Sequence, residues 1–388
     1  MPRKLAQRMA RVSPSATMEI RRRAEELVRA GVDVIDLGPG EPDFDTPEAV
    51  RRAGIAAIED GFTKYTQAGG IPELRAAIAA RYRRDYGAPY SPEEVIVAAG
   101  AKQALFSLAL ALFDEGDEVL IPAPYWVTYP EVVRLCGAEP VFVPADPADG
   151  FHPSLDALRE RVSPRTAALI VNSPCNPTGA LLSPEELEGI VELARAHDFY
   201  VIFDEAYEAI VYERGPFSAA PLKDEHVIVV GSLSKSHAMP GWRIGWALGP
   251  REVIRAALAI QSHSITHPSS ISQYAALAAL EGPWDGVRDM VEEFRRRRDL
   301  AVEALNRISG VECPVPEGAF YVFPDVSAYL GGDSAALARR LLEEAHVAVV
   351  PGEAFGWPGR IRISLTQPRE RLIEAISRIA RVLEGLRD

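Results

Sequence analysis

The sequence predicts an α/β protein of two domains: a large one built on a mostly parallel, doubly wound sheet, and a smaller α+β one. Three observations carry this reading. Between residues 94 and 247, short β-rich apolar runs alternate with helical periodicity, the pattern of parallel strands joined by crossover helices. At 388 residues the chain exceeds what a single hydrophobic core usually serves. Beyond residue 285 the alternation gives way to a charged helix, a few short strands and a last amphipathic helix. The expected division is residues 46–285 for the large domain, with 1–45 and 286–388 forming the small one.

Taken in order, an amphipathic helix is expected over Ala16–Ala30 and a short strand over Val32–Leu37, followed by the turn-rich stretch GPGEPDFDTPEAV. The strands expected in the sheet are Glu94–Ala98, Glu118–Ile121, Pro140–Val143, Ala167–Val171, Tyr200–Phe203, Val227–Val230 and Arg243–Ala247. Helices such as Gln103–Phe113 and Pro184–His197 separate several of them. The C-terminal part supplies a helix at Val287–Ile308, strands at Ala319–Phe323, Ala348–Val350 and Arg360–Leu365, and a helix at Arg369–Leu386. No internal repeat or low-complexity linker interrupts the chain.

Composition narrows the function classes. Apolar residues make up 47% and charged residues 25%, as in ordinary soluble enzymes. A formal net charge of −13 argues against a coat for nucleic acid or anionic membrane. No apolar run approaches the ~20 residues that span a bilayer. The basic N-terminus lacks the apolar core of a signal peptide, so a cytoplasmic location is expected. Cys136, Cys175 and Cys313 are odd in number and widely spaced, which suits reduced thiols better than a disulfide framework or zinc site. His237, His263 and His267 have no carboxylate partner at ligand spacing, so no metal is expected there. The run Arg295–Arg298 is expected to be the exposed face of a helix rather than a nucleic-acid patch. Of 42 basic residues only five are lysines: Lys4, Lys64, Lys102, Lys223 and Lys235. In so arginine-biased a chain, a retained lysine points to chemistry that needs a deprotonatable amine.

Open α/β sheets bind ligands beyond the carboxyl ends of their strands, and four strand ends here carry special-purpose residues. Strand 94–98 ends in Ala-Gly-Ala-Lys, residues 99–102, and opens a helix. Free N–H groups and the helix dipole make such a turn an anion site, although glycine also serves sterics alone. Strand 167–171 ends in NSPCNPTG, either a stiff turn or a shaped site loop, with Asn176 biased to extended backbone by Pro177. Strand 200–203 runs into Asp204-Glu205-Ala206-Tyr207. A carboxylate there either caps a helix or keeps a cofactor's pyridine protonated as an electron sink, with Tyr207 in reach of the ring hydroxyl. Strand 227–230 leads into residues 231–245, where Lys235 lies among small residues without acidic neighbours. An amine in such a pocket has a lowered pKa and suits Schiff-base chemistry. Ser232, Ser234 and Arg243 are natural phosphate ligands beside it.

With these residues in view, the chain resembles the fold-type I, class I/II pyridoxal-phosphate aminotransferases, most closely the bacterial aspartate aminotransferase branch. The resemblance runs in order through GEPDFDTP (40–47), KYTQAGGIPELR (64–75), YWVTYPE (125–131), NSPCNPTG (172–179), DEAY (204–207), SLSKSHAMPGWRIG (232–245), PEGAFYVF (316–323) and RISL (362–365). It implies pyridoxal 5′-phosphate on Lys235 as a Schiff base, with Lys235 later moving the substrate's α-proton. Asp204 would pair with the pyridine nitrogen, Tyr207 and Asn176 would bind the ring oxygen, and Trp126 would stack on the ring. Gly100, Ala101, Lys102, Ser232 and Arg243 would surround the phosphate. Tyr65 would reach the phosphate of the neighbouring subunit, which implies a homodimer with shared active sites.

For the substrate, the resemblance implies Arg362 as the clamp on the α-carboxylate, with the Gly40 backbone, Trp126 and Asn176 nearby. Arg360 is read as a surface or ion-pair residue. Lys102 and Thr17 would meet the distal carboxylate of aspartate or glutamate, and in some members prephenate. Lys102 is also open to a plain helix-capping or surface-pairing role. The string SKSHAM is shared with aminotransferases of other amino acids, and a same-fold carbon–sulfur lyase or cyclopropane-forming synthase would use the same cofactor residues. A nicotinamide dehydrogenase would need a complete G-x-G-x-x-G, whereas Gly38-Pro39-Gly40 is followed by Asp43. A regulator that senses amino acids would need a DNA-binding domain in front, and about 40 residues leave no room for one.

Overall fold

The computed structural model describes residues 5–12 and 17–386, with backbone only at 7, 17–19 and 21. The chain opens with α1 (Thr17–Arg29), β1 (Ile35–Asp36), α2 (Glu48–Glu59) and α3 (Pro72–Tyr86). It then alternates through β2 (Val95–Ala98), α4 (Ala101–Leu112), β3 (Glu118–Ala123), α5 (Thr128–Cys136), β4 (Glu139–Pro144), α6 (Leu155–Arg161), β5 (Thr166–Asn172), α7 (Pro184–His197) and β6 (Tyr200–Asp204). Next come β7 (Val227–Ser232), β8 (Gly245–Leu248), α8 (Arg251–Ser264), α9 (Ser270–Glu281) and α10 (Asp285–Asn306). The last part comprises β9 (Tyr321–Val322), α11 (Ser334–Arg340), β10 (Val347–Ala348), β11 (Val350–Pro351), β12 (Ile361–Ser364) and α12 (Arg369–Glu384).

Seven strands form one sheet in the order β4-β3-β5-β6-β7-β8-β2. All neighbours are parallel except that β8 runs against both β7 and β2. The near-continuous apolar runs of the strands follow from burial on both faces. Val201 and Phe203 of β6 pack into one core with Leu169 and Val229, and Ile202 packs into the opposite core with Ile170 and Ile228. A third core gathers β9, β12, α10 and α12. Two small sheets lie outside the main one: β1 pairs in parallel with β10, and β12 sits between β11 and β9. Residues near the N-terminus thus pair with residues more than 300 positions on.

Several expectations are corrected. Arg243 does not begin a strand; it has φ 54° and ψ 59°, and β8 starts two residues later at Gly245. The strand expected over 348–350 is split, and those over 32–37 and 319–323 shrink to two residues each. The four arginines of α10 do not share an exposed face. At about 100° per residue four consecutive side chains sweep most of the way round a helix. Arg297 and Arg298 are consequently buried, Arg297 donating to Asp43 and Glu293, Arg298 to Glu213. Arg360 is an ion-pair residue but not a surface one: it is buried 3.1 Å from Asp325 and donates to the Phe323 carbonyl.

Candidate functional site

The chain crosses from β3 outward to β4 and then back to the other side of β3 as β5, so the sheet has its topological switch between β3 and β5. A cavity of about 980 Å³ opens at the carboxyl ends there. The antiparallel β8 starts at that same rim, which is why Arg243, just before it, arrives beside residues that follow parallel strands. Register lines up Ala98, Gly245 and Ser232 across β2, β8 and β7.

One end of the cavity is an anion cradle. Gly100 caps α4 with φ 86°, and the N–H groups of Ala101 and Lys102 open that helix without helical partners. A Cβ on Gly100 would lie 2.5 Å from Arg243 Nη2, and one on Gly245 would lie 2.4 Å from the Ala101 nitrogen. The two glycines let the guanidinium and the loop close on one space. Arg243 is fixed by donation to the carbonyls of Pro240 and Ala99. The buried Ser232 and Ser234 also line this cavity.

Lys235 stands deeper, half-buried, with its Nζ donating to the Gly40 carbonyl. Burial lowers its amine to about 8, and the nearby Arg362 and Arg243 push the same way. Asp204, at the end of β6, is fully buried and accepts from the Tyr129 hydroxyl at 2.8 Å and the Ala206 N–H at 3.1 Å. Burial raises this carboxyl to about 6. Asn172 pairs with Asp204 across the sheet, donates to its carbonyl, and accepts from the Asn176 N–H at 2.7 Å. Tyr207 shares a 2.8 Å hydrogen bond with the Tyr321 hydroxyl, and burial pushes its phenol above the ordinary range.

Arg362 comes from β12 and is buried, its guanidinium 4.4 Å from the Tyr321 ring centre and 5.1 Å from that of Phe355. It donates to Asn176 Oδ1 at 2.9 Å and to the Gly38 carbonyl at 2.5 Å, while Nε has no partner. Lys102 holds its Nζ 4.8 Å from the Trp126 ring centre, and burial followed by Arg243 lowers its amine. Lys102, Lys235, Arg243 and Arg362 all line this cavity, and among the described residues none of them forms an ion pair with a carboxylate. Lys102, Arg243 and Arg362, with no direct ion pair, leave the cavity open to a ligand with negative charges, while Glu41 and Asp204 are the carboxylates that act on Lys235.

Of the residues singled out from sequence, Gly40, Ala101, Lys102, Trp126, Asn176, Asp204, Tyr207, Ser232, Lys235, Arg243 and Arg362 line the cavity, and Gly100 shapes its anion end. Tyr65 does not; its side chain is 88% exposed, with only its ring edge on His267. Thr17 is the first residue of α1, and its side chain lies outside the described residues. Sequence reasoning missed Tyr129, Asn172 and Tyr321. Each sat inside a quoted motif, and a buried hydroxyl or amide in such a motif was the signal.

The family model Aminotransferase class I and II matches residues 32–379. A probable aspartate/prephenate aminotransferase of Aquifex aeolicus is 47% identical over the whole of both chains. The aspartate aminotransferase of Geobacillus stearothermophilus is 44% identical, covering 98% of this chain and 99% of its own. A solved aspartate aminotransferase from Thermus thermophilus, with maleate, superimposes with a TM-score of 0.95 at 47% identity, covering 98% of this chain and 100% of that one.

Proposed function

Because the chain belongs to the class I and II aminotransferase family, we propose that it exchanges an amino group between aspartate or glutamate and a 2-oxo acid on pyridoxal 5′-phosphate held at Lys235. The observation that carries the reading is the set of four cations that form no ion pair with a carboxylate, spread along one cavity. The cradle of Gly100, Ala101, Lys102, Ser232, Ser234 and Arg243 suits a phosphate dianion. Asp204 suits a cationic ring nitrogen, because a buried carboxylate raised to about 6 is relieved by a positive partner. Asn176 and Tyr207 have polar groups for a ring oxygen, and Trp126 has a ring face beside them. These residues fit the cofactor.

When bound, the cofactor supplies an electron sink for charge developing at the substrate's α-carbon. The chain's own part follows from its geometry. Arg362 holds the α-carboxylate through donors that Asn176 and Gly38 leave free, and Gly40 lies beside it. Lys235, with an amine lowered to about 8, takes the α-proton as a base and returns it, its neutral form being more accessible than an ordinary lysine's. Asp204, held by Tyr129 and Ala206, keeps a proton at the ring nitrogen. Lys102 and Thr17 donate to the distal carboxylate; the support for Lys102 is its lack of a counter-ion and its place over Trp126. Prephenate presents a comparable pair of anions, and the related Aquifex protein bears that substrate in its name.

We further propose a homodimer in which Tyr65 completes the partner's phosphate site. Its support is the exposure of Tyr65 together with Ile55, Ile58 and Phe62 nearby in the chain. The domain division at about residue 285 is likewise a proposal, supported by the separate cores. No helix among the described residues is long and apolar enough to cross a membrane. The free cysteines suit a reducing compartment, the cytoplasm. The test is the half-reaction: purified protein loaded with cofactor is mixed with single amino acids and its visible spectrum followed. Aspartate and glutamate should convert the spectrum; conversion by aromatic or basic amino acids alone would overturn the acidic-substrate reading.

A further inference from the structure

Behind the cavity lies a second group of ionisable side chains that the proposed reaction does not use. Asp204 and Tyr207 face the cavity, whereas Glu205 and Glu208 of the same turn are buried among other partners. Glu205 accepts from Ser218 and from the Ala219 N–H, both at 2.6 Å. Glu208 accepts from Arg81 Nη2 at 2.5 Å and from the Tyr86 hydroxyl. Two residues past Lys235, His237 is also buried, with Nδ1 3.0 Å from the Ser236 hydroxyl. Its ring stands edge-on to Trp284 at 4.5 Å, and the Arg81 guanidinium packs on the same indole at 4.6 Å. Arg81 from α3 therefore touches the turn that bears Asp204 and Tyr207, and through Trp284 the loop that bears Lys235.

As a stabilising device this cluster is poor. Arg81 Nε and Nη1 and Trp284 Nε1 are buried without hydrogen-bond partners, and Asp85 stands 3.4 Å from Nε without completing one. Buried donors left unmade cost stability, and apolar residues of similar volume would fill the space more cheaply. Local violations of this kind are expected where a structure serves a site.

We propose that Arg81, Glu208 and His237 are positioning residues: they hold the Asp204–Tyr207 turn and the Lys235 loop at a fixed separation. The proposal rests on the reading that Lys235 and Asp204 grip one cofactor from opposite ends. Neither Arg81 nor Glu208 lines the cavity, so their effect passes through the backbone of the two loops. The ion pair fixes one loop, the imidazole wedged against Trp284 fixes the other, and Arg81 is common to both.

The test uses the cofactor-loaded protein and the variants Glu208→Gln, His237→Phe and the double variant Arg81→Met/Glu208→Leu, which removes both charges together. Three quantities are read: the melting midpoint, the visible circular dichroism of the cofactor per unit absorbance, and the single-turnover rate with aspartate. The dichroism reports the orientation of the ring between its two anchors. Folded variants should lose at least half of that signal, and the single-turnover rate should fall about tenfold. The aspartate concentration for half-saturation should stay within about twofold of the parent. Folded variants with unchanged dichroism and rate overturn the proposal. If the single variants fail to fold, the double variant, free of an uncompensated charge, decides the matter. Lys235→Ala is the separate control: a visible band that persists in it overturns the cofactor reading rather than this one.

Discussion

Replacing Arg362 by lysine keeps a cation over Tyr321 but removes the planar fork. The guanidinium has five N–H donors. One is spent on Asn176 and one on Gly38, and the buried Nε has no partner. That leaves enough donors for two parallel bonds to a carboxylate, which lysine cannot make from a single nitrogen. Losing one charge-assisted hydrogen bond costs about 1.5–3 kcal/mol. At about 1.4 kcal/mol per factor of ten, kcat/KM should fall by about 10- to 150-fold. The amino donor and the oxo acceptor both carry a carboxylate next to the reacting carbon, so the fall should appear for both partners to a similar degree. Steady-state kinetics with aspartate varied at fixed 2-oxoglutarate, and then the reverse, reads both. A variant whose two kcat/KM values stay within about threefold of the parent would refute the clamp.

Lys102→Met should raise the KM for aspartate roughly tenfold while apolar amino acids change little, because only a dicarboxylate loses an uncompensated cation; equal loss on alanine would instead place the Lys102 side chain, and not only its N–H, at the phosphate. Lys235, with its amine lowered to about 8, is reactive as the neutral form, so the rate at which cofactor-free protein captures pyridoxal phosphate should rise with pH and level off near 9. An unshifted lysine would still be gaining in rate there, and stopped-flow absorbance distinguishes the two. Asp204→Asn should keep the fold, retaining its bond to Tyr129, but lower kcat by roughly 100-fold or more through loss of the charge opposite the ring nitrogen; a kcat near the parent's would remove Asp204 from that role. Tyr65→Ala should leave sedimentation unchanged and speed loss of cofactor on dialysis, whereas unchanged retention would detach Tyr65 from the partner's phosphate.

What could be read in the sequence follows physical lines. β5, β6 and β7 are buried on both faces, so their apolar runs stand out and set Asp204 and Ser232 at one rim. α7 matches the expected span Pro184–His197, and the structure shows Ser183 and Glu186 forming a capping box before its apolar stripe. The two-residue strands of the C-terminal part were overextended, since a ladder that short has no period to detect. Arg297 and Arg298 depart from the expected exposed face, and Arg360 forms its expected ion pair in a buried place, because a charged residue's burial depends on partners such as Asp43, Glu213 and Asp325, which are distant in sequence. The left-handed backbone of Arg243 left no composition signal, because glycine or asparagine would be the usual occupant. The cluster around Arg81 was invisible for a related reason: it joins residues 81, 208, 237 and 284, none of which belongs to a local pattern with another.

The strand that runs the wrong way has a consequence for how the molecule matures. β2 closes against β8, which the ribosome delivers some 150 residues later, and Gly100 meets Arg243 only after that closure. Pairing at such sequence separation is slow, since the loop must be ordered before contacts reward it. The anion cradle is thus absent from every partly folded chain that lacks the finished edge of the sheet. A dianion bound there favours only the completed fold, drawing the population toward it by mass action. Supply of that ligand during synthesis should therefore set the yield of intact protein as well as its activity.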